Sequence, residues 1–209
     1  MTTVTIIGAP QSNYVWGTRL ALGFKGVAHE LQPAAPHSDE VNAIHPLGKI
    51  PVMRHGDVTL AESFAICSYV DATFDGPELV PADAAARGRV LQWWSLLITA
   101  AEPLLVRQYL FGYLFPGTAD GSPNRAQIDA ALPDVERYLD ILQTGLGEGG
   151  FSEDSPSIAD AFLLPVLYYT RRCPEGAEAM KARPALSAYL ERWLEADTVA
   201  ATVPPPPAD

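Results

Sequence analysis

The hydrophobic pattern of this 209-residue chain changes period near residues 75 to 83, and a chain with two periods needs two differently built halves. Before the change, Val4 to Gly8 reads as a short buried strand that ends where Gly8-Ala9-Pro10 introduces turn chemistry. Asn13 to Lys25 reads as a helix, with Val15, Leu20, Leu22 and Phe24 apolar and Gly26 as its stop. A second strand near Ala28 to Gln32 leads into a proline-rich loop, Pro33 to Pro36, and a short helix around Ser38 to Ile44. Ile50-Pro51-Val52-Met53 and Val58-Thr59-Leu60 flank His55-Gly56-Asp57 and read as a hairpin, with Pro51 as the first residue of its strand. Glu62 to Phe74 returns to helical spacing, with Ile66, Val70 and Phe74 four apart. The order predicted for the first half is βαβ followed by ββα.

Past Asp75-Gly76-Pro77 no strand-like alternation follows. Val90, Trp94, Leu97, Ala101 and Leu104 repeat at helical spacing, as do Ile128, Leu132, Val135, Leu139 and Leu142. Pro103 and Pro133 interrupt these faces, and an interior proline costs about 3 kcal/mol or more, so kinks or later helix starts are expected there. Leu186, Tyr189, Leu190, Trp193 and Leu194 form a last amphipathic face, and the proline run at 203–209 reads as a disordered tail. A hydrophobic fraction of 48% suffices for one good core or two modest ones, with no need of disulfide or metal. Cys67 and Cys173 form no C-x-x-C pair and the four histidines do not cluster with them, so no metal centre is expected. The net charge of -11 argues against nucleic acid and acidic membranes as partners. No apolar run is long enough for a membrane span and the start lacks a signal-peptide pattern, so the expected setting is the cytoplasm.

Four local signals bear on chemistry. An X-Pro bond opening a strand at Ile50-Pro51 would, if cis, present the preceding backbone to an extended ligand. Glu62-Ser63 opens a helix, where free N-H groups and a hydroxyl favour an anion, although a serine there is also an ordinary cap. A carboxylate beside such an anion site suits a zwitterion that carries an amino group as well. Ser12 directly precedes the first helix, and its hydroxyl reads either as a cap or as a donor to a bound thiolate. Ser157-Ile158-Ala159-Asp160 is an S-x-x-D capping box, with a structural role only.

Together these segments resemble the glutathione S-transferase family along nearly the whole chain. Gly8 to Gly26, G-A-P-Q-S-N-Y-V-W-G-T-R-L-A-L-G-F-K-G, is similar to the family's G-x-x-x-S-P-Y-x-x-K-V-R-L-A-L-x-x-K-G opening. His45 to Val52 is similar to its N-P-x-G-x-V-P segment with a cis proline, Leu60-Ala61-Glu62-Ser63 to its L-x-E/Q-S, and Ser157 to Asp160 to its helix-six box. The resemblance implies an α/β thioredoxin-like N-terminal domain over residues 1–76, a linker over 77–83 and an all-α C-terminal helical domain over 84–202. It implies glutathione as cosubstrate, with Ser12 as the thiol-activating hydroxyl and Ile50, before Pro51, as backbone partner of the cysteinyl unit. Glu62 and Ser63 would hold the γ-glutamyl group, and Lys49 and His37 the glycine carboxylate. Tyr14 and Arg107 would line the place of a small electrophile, and the protein would be a homodimer without metal. Asn13 and His45 depart from the family's usual proline and asparagine. The first strand offers no tyrosine and position 12 is not cysteine, so the resemblance is to a serine-type, bacterial-like cytosolic class. The implied activity is attack of the glutathione thiolate on a small hydrophobic electrophile or reduction of a peroxide; an isomerase that returns its glutathione, or a non-catalytic binding module, fits the same motifs.

Overall fold

A computed structural model describes residues 2–205. The first half runs β1 (Val4–Ile7), α1 (Asn13–Lys25), β2 (His29–Gln32), α2 (Asp39–Asn42), β3 (Val52–His55), β4 (Val58–Ala61) and α3 (Ser63–Thr73). The four strands form one sheet in the order β2-β1-β3-β4. β1 pairs in parallel with β2, while β3 is antiparallel to both β1 and β4, with Ile6 opposite Met53 and Met53 opposite Leu60. Parallel pairing of β1 and β2 requires a crossover, and α1 supplies it. Ile6, Met53 and Leu22 meet Ile66 and Val70 of α3 in a small core on one face of the sheet, and Ile7, Val41 and Val52 close a smaller one on the other. The expected βαβ and ββα order is the observed one. Pro51 sits just outside β3, and the ladder starts at Val52, which needs no missing N-H.

The second half is helical: α4 (Ala84–Leu96), two π-helical segments (Leu97–Ala101 and Pro103–Leu110), α5 (Phe111–Leu114), α6 (Arg125–Gly147), α7 (Ile158–Thr170), α8 (Pro174–Lys181), α9 (Pro184–Glu195) and α10 (Asp197–Ala200). At Pro103 the chain neither stops nor restarts. The turns on both sides widen to π geometry, which relieves the clash between the proline ring and the carbonyl one turn back. α6 runs through Pro133 without interruption, so the expected later start is absent; its buried face of Ile128, Val135, Leu139 and Leu142 outweighs one lost hydrogen bond.

The halves are fused through α1. One face of α1 serves the sheet core, while Trp16, Leu20, Ala21 and Phe24 belong to the large helical core with Leu105, Leu163 and Leu190. Gly17 is where α1 meets α7: a Cβ there would lie 2.9 Å from the Phe162 ring and 3.0 Å from the Ala161 carbonyl oxygen, closer than real side chains approach. The connecting segment is pinned by Asp71, whose carboxylate accepts from Leu79 N and Val80 N and pairs with the buried Lys25 at 2.8 Å. The expected tail also starts differently. Val203 packs on the helical core and Pro204 is buried, because Thr202 is tied down by the Trp16 indole N-H at 3.1 Å and by Arg19. The remainder of that tail, 206–209, lies outside the described residues.

Candidate active-site cleft

A cleft of about 1420 Å³ opens between the sheet half and the helical half. Ser12, Tyr14, His37, Lys49, Ile50, Pro51, Glu62, Ser63 and Arg107, dispersed over almost 100 positions of sequence, all line it. Its volume exceeds the roughly 300–1,000 Å³ of a pocket for one small ligand.

On the sheet side, the Ile50-Pro51 bond is cis. The Ile50 N-H and C=O enter none of the main-chain bonds found outside helices and strands among the described residues. Neighbouring Gly48 has φ +62°, and any side chain there would collide with His37 Nδ1 at 2.3 Å and Asn42 Oδ1 at 2.6 Å. Only glycine combines that conformation with that approach, which packs the His37 loop against the segment leading into Lys49.

α3 differs from the other described α-helices in being entered through a positive φ. Its N-cap position is Glu62, held at φ +67°, with no side-chain cap. Ser63 is therefore the first helical residue rather than a cap, it is buried, and its hydroxyl has no partner among the described residues. A non-glycine residue at positive φ costs about 1–2 kcal/mol, a strain that clusters at functional positions. Buried His45, 3% exposed, fixes the Glu62 carboxylate. Its Nδ1 accepts from Leu47 N at 3.0 Å, so the proton sits on Nε2, which donates to Glu62 Oε1 at 3.2 Å.

Ser12 satisfies both of its readings at once. Its oxygen accepts the Val15 N-H at 3.4 Å, as a cap does, and its own proton remains available to a second acceptor in the cleft. Beyond it lies a residue the sequence did not single out, Glu102, 3% exposed in the helical half. Glu102 accepts from Asn13 Nδ2 at 3.1 Å and from Arg107 Nε at 3.1 Å, and its second oxygen lies 3.3 Å from the Tyr14 hydroxyl. Burial, with the Glu102 charge added, pushes the Tyr14 phenol well above the ordinary tyrosine range and keeps it neutral. A signal for Glu102 did exist: it is the one charge in the apolar stretch from Leu96 to Val106, and a charge in such a run is buried only with partners. Asn13, which stands where the family usually has proline, is one of these partners.

Arg172, Tyr168, Tyr169 and Cys173 contribute the far wall, and Pro204 and Pro205 an edge. Burial pushes the Cys173 thiol up to about 11, which keeps it protonated and unreactive near neutral pH. Among the described residues no group of histidine, cysteine or carboxylate side chains could hold a metal ion. No described helix is long and apolar enough to cross a membrane. Ser157 and Asp160 lie outside the cleft and form the expected capping box.

A four-stranded βαβ-ββα unit with a cis-proline loop, joined through α1 to a helical unit that closes a cleft over it, defines a thioredoxin-like domain with a helical partner domain. Residues 6–78 match the family model for the glutathione S-transferase N-terminal domain, and residues 125–192 that for the C-terminal domain. Glutathione S-transferase 3 of Zea mays is 29% identical over 100% of this chain and 99% of its own length. Glutathione S-transferase Z1 of Arabidopsis thaliana is 31% identical over 72% of this chain and 69% of its own. The crystal structure of glutathione transferase F7 from Populus trichocarpa is similar with a TM-score of 0.82 at 25% identity, covering 96% of this chain and 99% of that one. The chain belongs to the glutathione S-transferase family. These relatives are plant proteins, and they do not support the narrower expectation of a bacterial-like serine-type class.

Proposed function

We propose that the protein is a cytoplasmic glutathione transferase, which binds glutathione along the sheet side of the cleft and directs its thiolate at a small hydrophobic electrophile in the helical half. The observation that carries this reading is the uncapped start of α3. Ser63, its first residue, lines the cleft with a hydroxyl that has no partner among the described residues, beside a carboxylate held by His45. A free helix N-terminus takes a carboxylate and Glu62 takes an ammonium, which together are the two charges of a γ-glutamyl head. From there an extended peptide would run past the Ile50 backbone, pairing like an added strand, and end with its glycine carboxylate near Lys49 and His37. The thiol at its middle then faces Ser12, whose hydroxyl proton and helix N-terminus both favour the anion. Tyr14 and Arg107 line the electrophile's side. Residues 1–76 would form the peptide-binding domain, 77–83 the linker and 84–202 the helical domain. A second copy of the chain would cover exposed Leu47 and Phe64, giving a homodimer.

The test is calorimetric titration with glutathione, followed by the ultraviolet absorbance of the bound thiolate. Saturable binding with thiolate present well below the usual thiol pKa of about 8.5 supports the reading; no binding ends it. A profile of electrophiles separates conjugation from isomerisation.

His45→Phe is expected to weaken glutathione roughly three- to tenfold by releasing Glu62, the range of one modest hydrogen bond. Binding of cysteinylglycine, which lacks the γ-glutamyl group, should not change. Equal losses for both peptides in the same calorimeter would assign His45 to general folding instead.

A further inference from the structure

We infer that the second substrate of this cleft is an acidic one: a hydrophobic electrophile carrying a carboxylate, gripped by Arg107. This inference rests on the glutathione reading above and adds to it the chemical class of the partner molecule.

A flexible surface arginine would carry no such meaning, but Arg107 is not flexible in the relevant sense. Its Nε donates at 3.1 Å to Glu102, a carboxylate almost fully buried and itself held by the Asn13 amide. Its guanidinium carbon lies 5.1 Å from the centroid of the Phe111 ring, which gives the plane a face to rest on. With Nε engaged, the two terminal amino groups have no acceptor among the described residues, and the side chain is 52% exposed at the cleft wall. A guanidinium fixed at one edge and on one face presents its remaining N-H groups as a fork, the shape that binds a carboxylate through two parallel hydrogen bonds.

The charges around it point the same way. In a protein of net charge -11, the helical half of the cleft carries two arginines, Arg107 and Arg172, against one carboxylate, Glu102. Glu102 is neutralised by Arg107, and Arg172, braced by the Tyr168 ring and hydroxyl, forms no ion pair among the described residues. The other cleft carboxylate, Glu62, is on the sheet side with His45. The helical half therefore keeps one positive charge in excess, that of Arg172, so an acid held in the Arg107 fork meets no net negative charge there, while Val106, Leu110 and Phe111 supply the apolar surface. A low-dielectric wall concentrates such a field on the ligand.

The experiment uses S-benzylglutathione carrying a carboxylate at the para or meta position, and the matching carboxamides, which have nearly the same shape without the charge. Affinities are measured by calorimetry on the full-length protein, with glutathione alone as reference. For wild type, at least one acid is expected to bind roughly 10- to 100-fold more tightly than its amide, the range of a charge-assisted hydrogen-bonded pair. Arg107→Gln should remove that preference, read as the ratio of acid to amide affinity within the same variant, and Arg107→Lys should restore part of it. Equal wild-type affinity for acids and amides overturns the inference without recourse to any variant, and so does a preference that survives in Arg107→Gln. Failure of glutathione itself to bind would instead bring down the transferase reading, and this inference with it.

Discussion

Asp160→Ala is expected to lower the unfolding free energy by about 3–5 kcal/mol, the cost of breaking a buried charged network by removing one member. The Asp160 side chain is completely buried and accepts four hydrogen bonds. Ser152 N at 2.8 Å and the Tyr189 hydroxyl at 2.6 Å reach one oxygen; Ser157 N and Oγ, both at 2.7 Å, reach the other. One carboxylate thereby joins the start of α7, the loop before it and α9. Burial pushes its carboxyl above the usual carboxylate range, while these donors pull it back toward the ionised form. Alanine strands all four donors inside the core, which is why the loss should exceed that of a plain cap. Ser157→Ala, which removes a cap and one donor, is expected to cost only about 1–2 kcal/mol. Urea unfolding with an unchanged m-value measures both, and an Asp160→Ala loss below that of Ser157→Ala would refute the network's role.

Ser12→Ala is expected to raise the thiol pKa of bound glutathione by about 1–2 units, back toward its free value, and to lower kcat/KM about 100-fold, as the loss of one aimed donor does. Because Ser12 also caps α1, a loss of about 1 kcal/mol in stability accompanies it. Ser12→Gly separates the two functions, since glycine at an N-cap sacrifices only a few tenths of a kcal/mol. Both variants should lose the thiolate absorbance equally although they differ in stability, and Ser12→Thr should retain it. A thiolate that titrates alike in wild type and alanine variant would show that the helix N-terminus alone activates the thiol.

The contrast between three serines shows how far the sequence could be read. Ser12, Ser63 and Ser157 all stand at helix starts, and a local pattern cannot say which is a cap. Ser157 caps with its box, Ser12 caps and keeps a proton to donate, and Ser63 caps nothing because the chain enters α3 through a positive φ at Glu62. No local pattern encodes that conformation. Helix faces such as Val90, Trp94 and Leu97 were legible because period and burial are one signal. Glu102 was legible only as a lone charge in an apolar run; two of its partners, Tyr14 and Asn13, lie 88 and 89 positions away and meet it only once α1 has docked. The π-helical passage at Pro103 was hidden for a related reason: helix propensity counts what the proline removes, and the buried faces on either side decide that the helix continues.

The anchoring of Thr202 has a practical side. Pro204 and Pro205 line the cleft, and Gln11, one residue before Ser12, reaches the Pro205 carbonyl at 3.5 Å. Pro205, as part of the cleft lining, is therefore a poor point from which to extend the chain. A purification tag or fusion partner placed there would compete with substrate for entry. The start of β1, at the other end of the strand that leads to Ser12, is the safer attachment point.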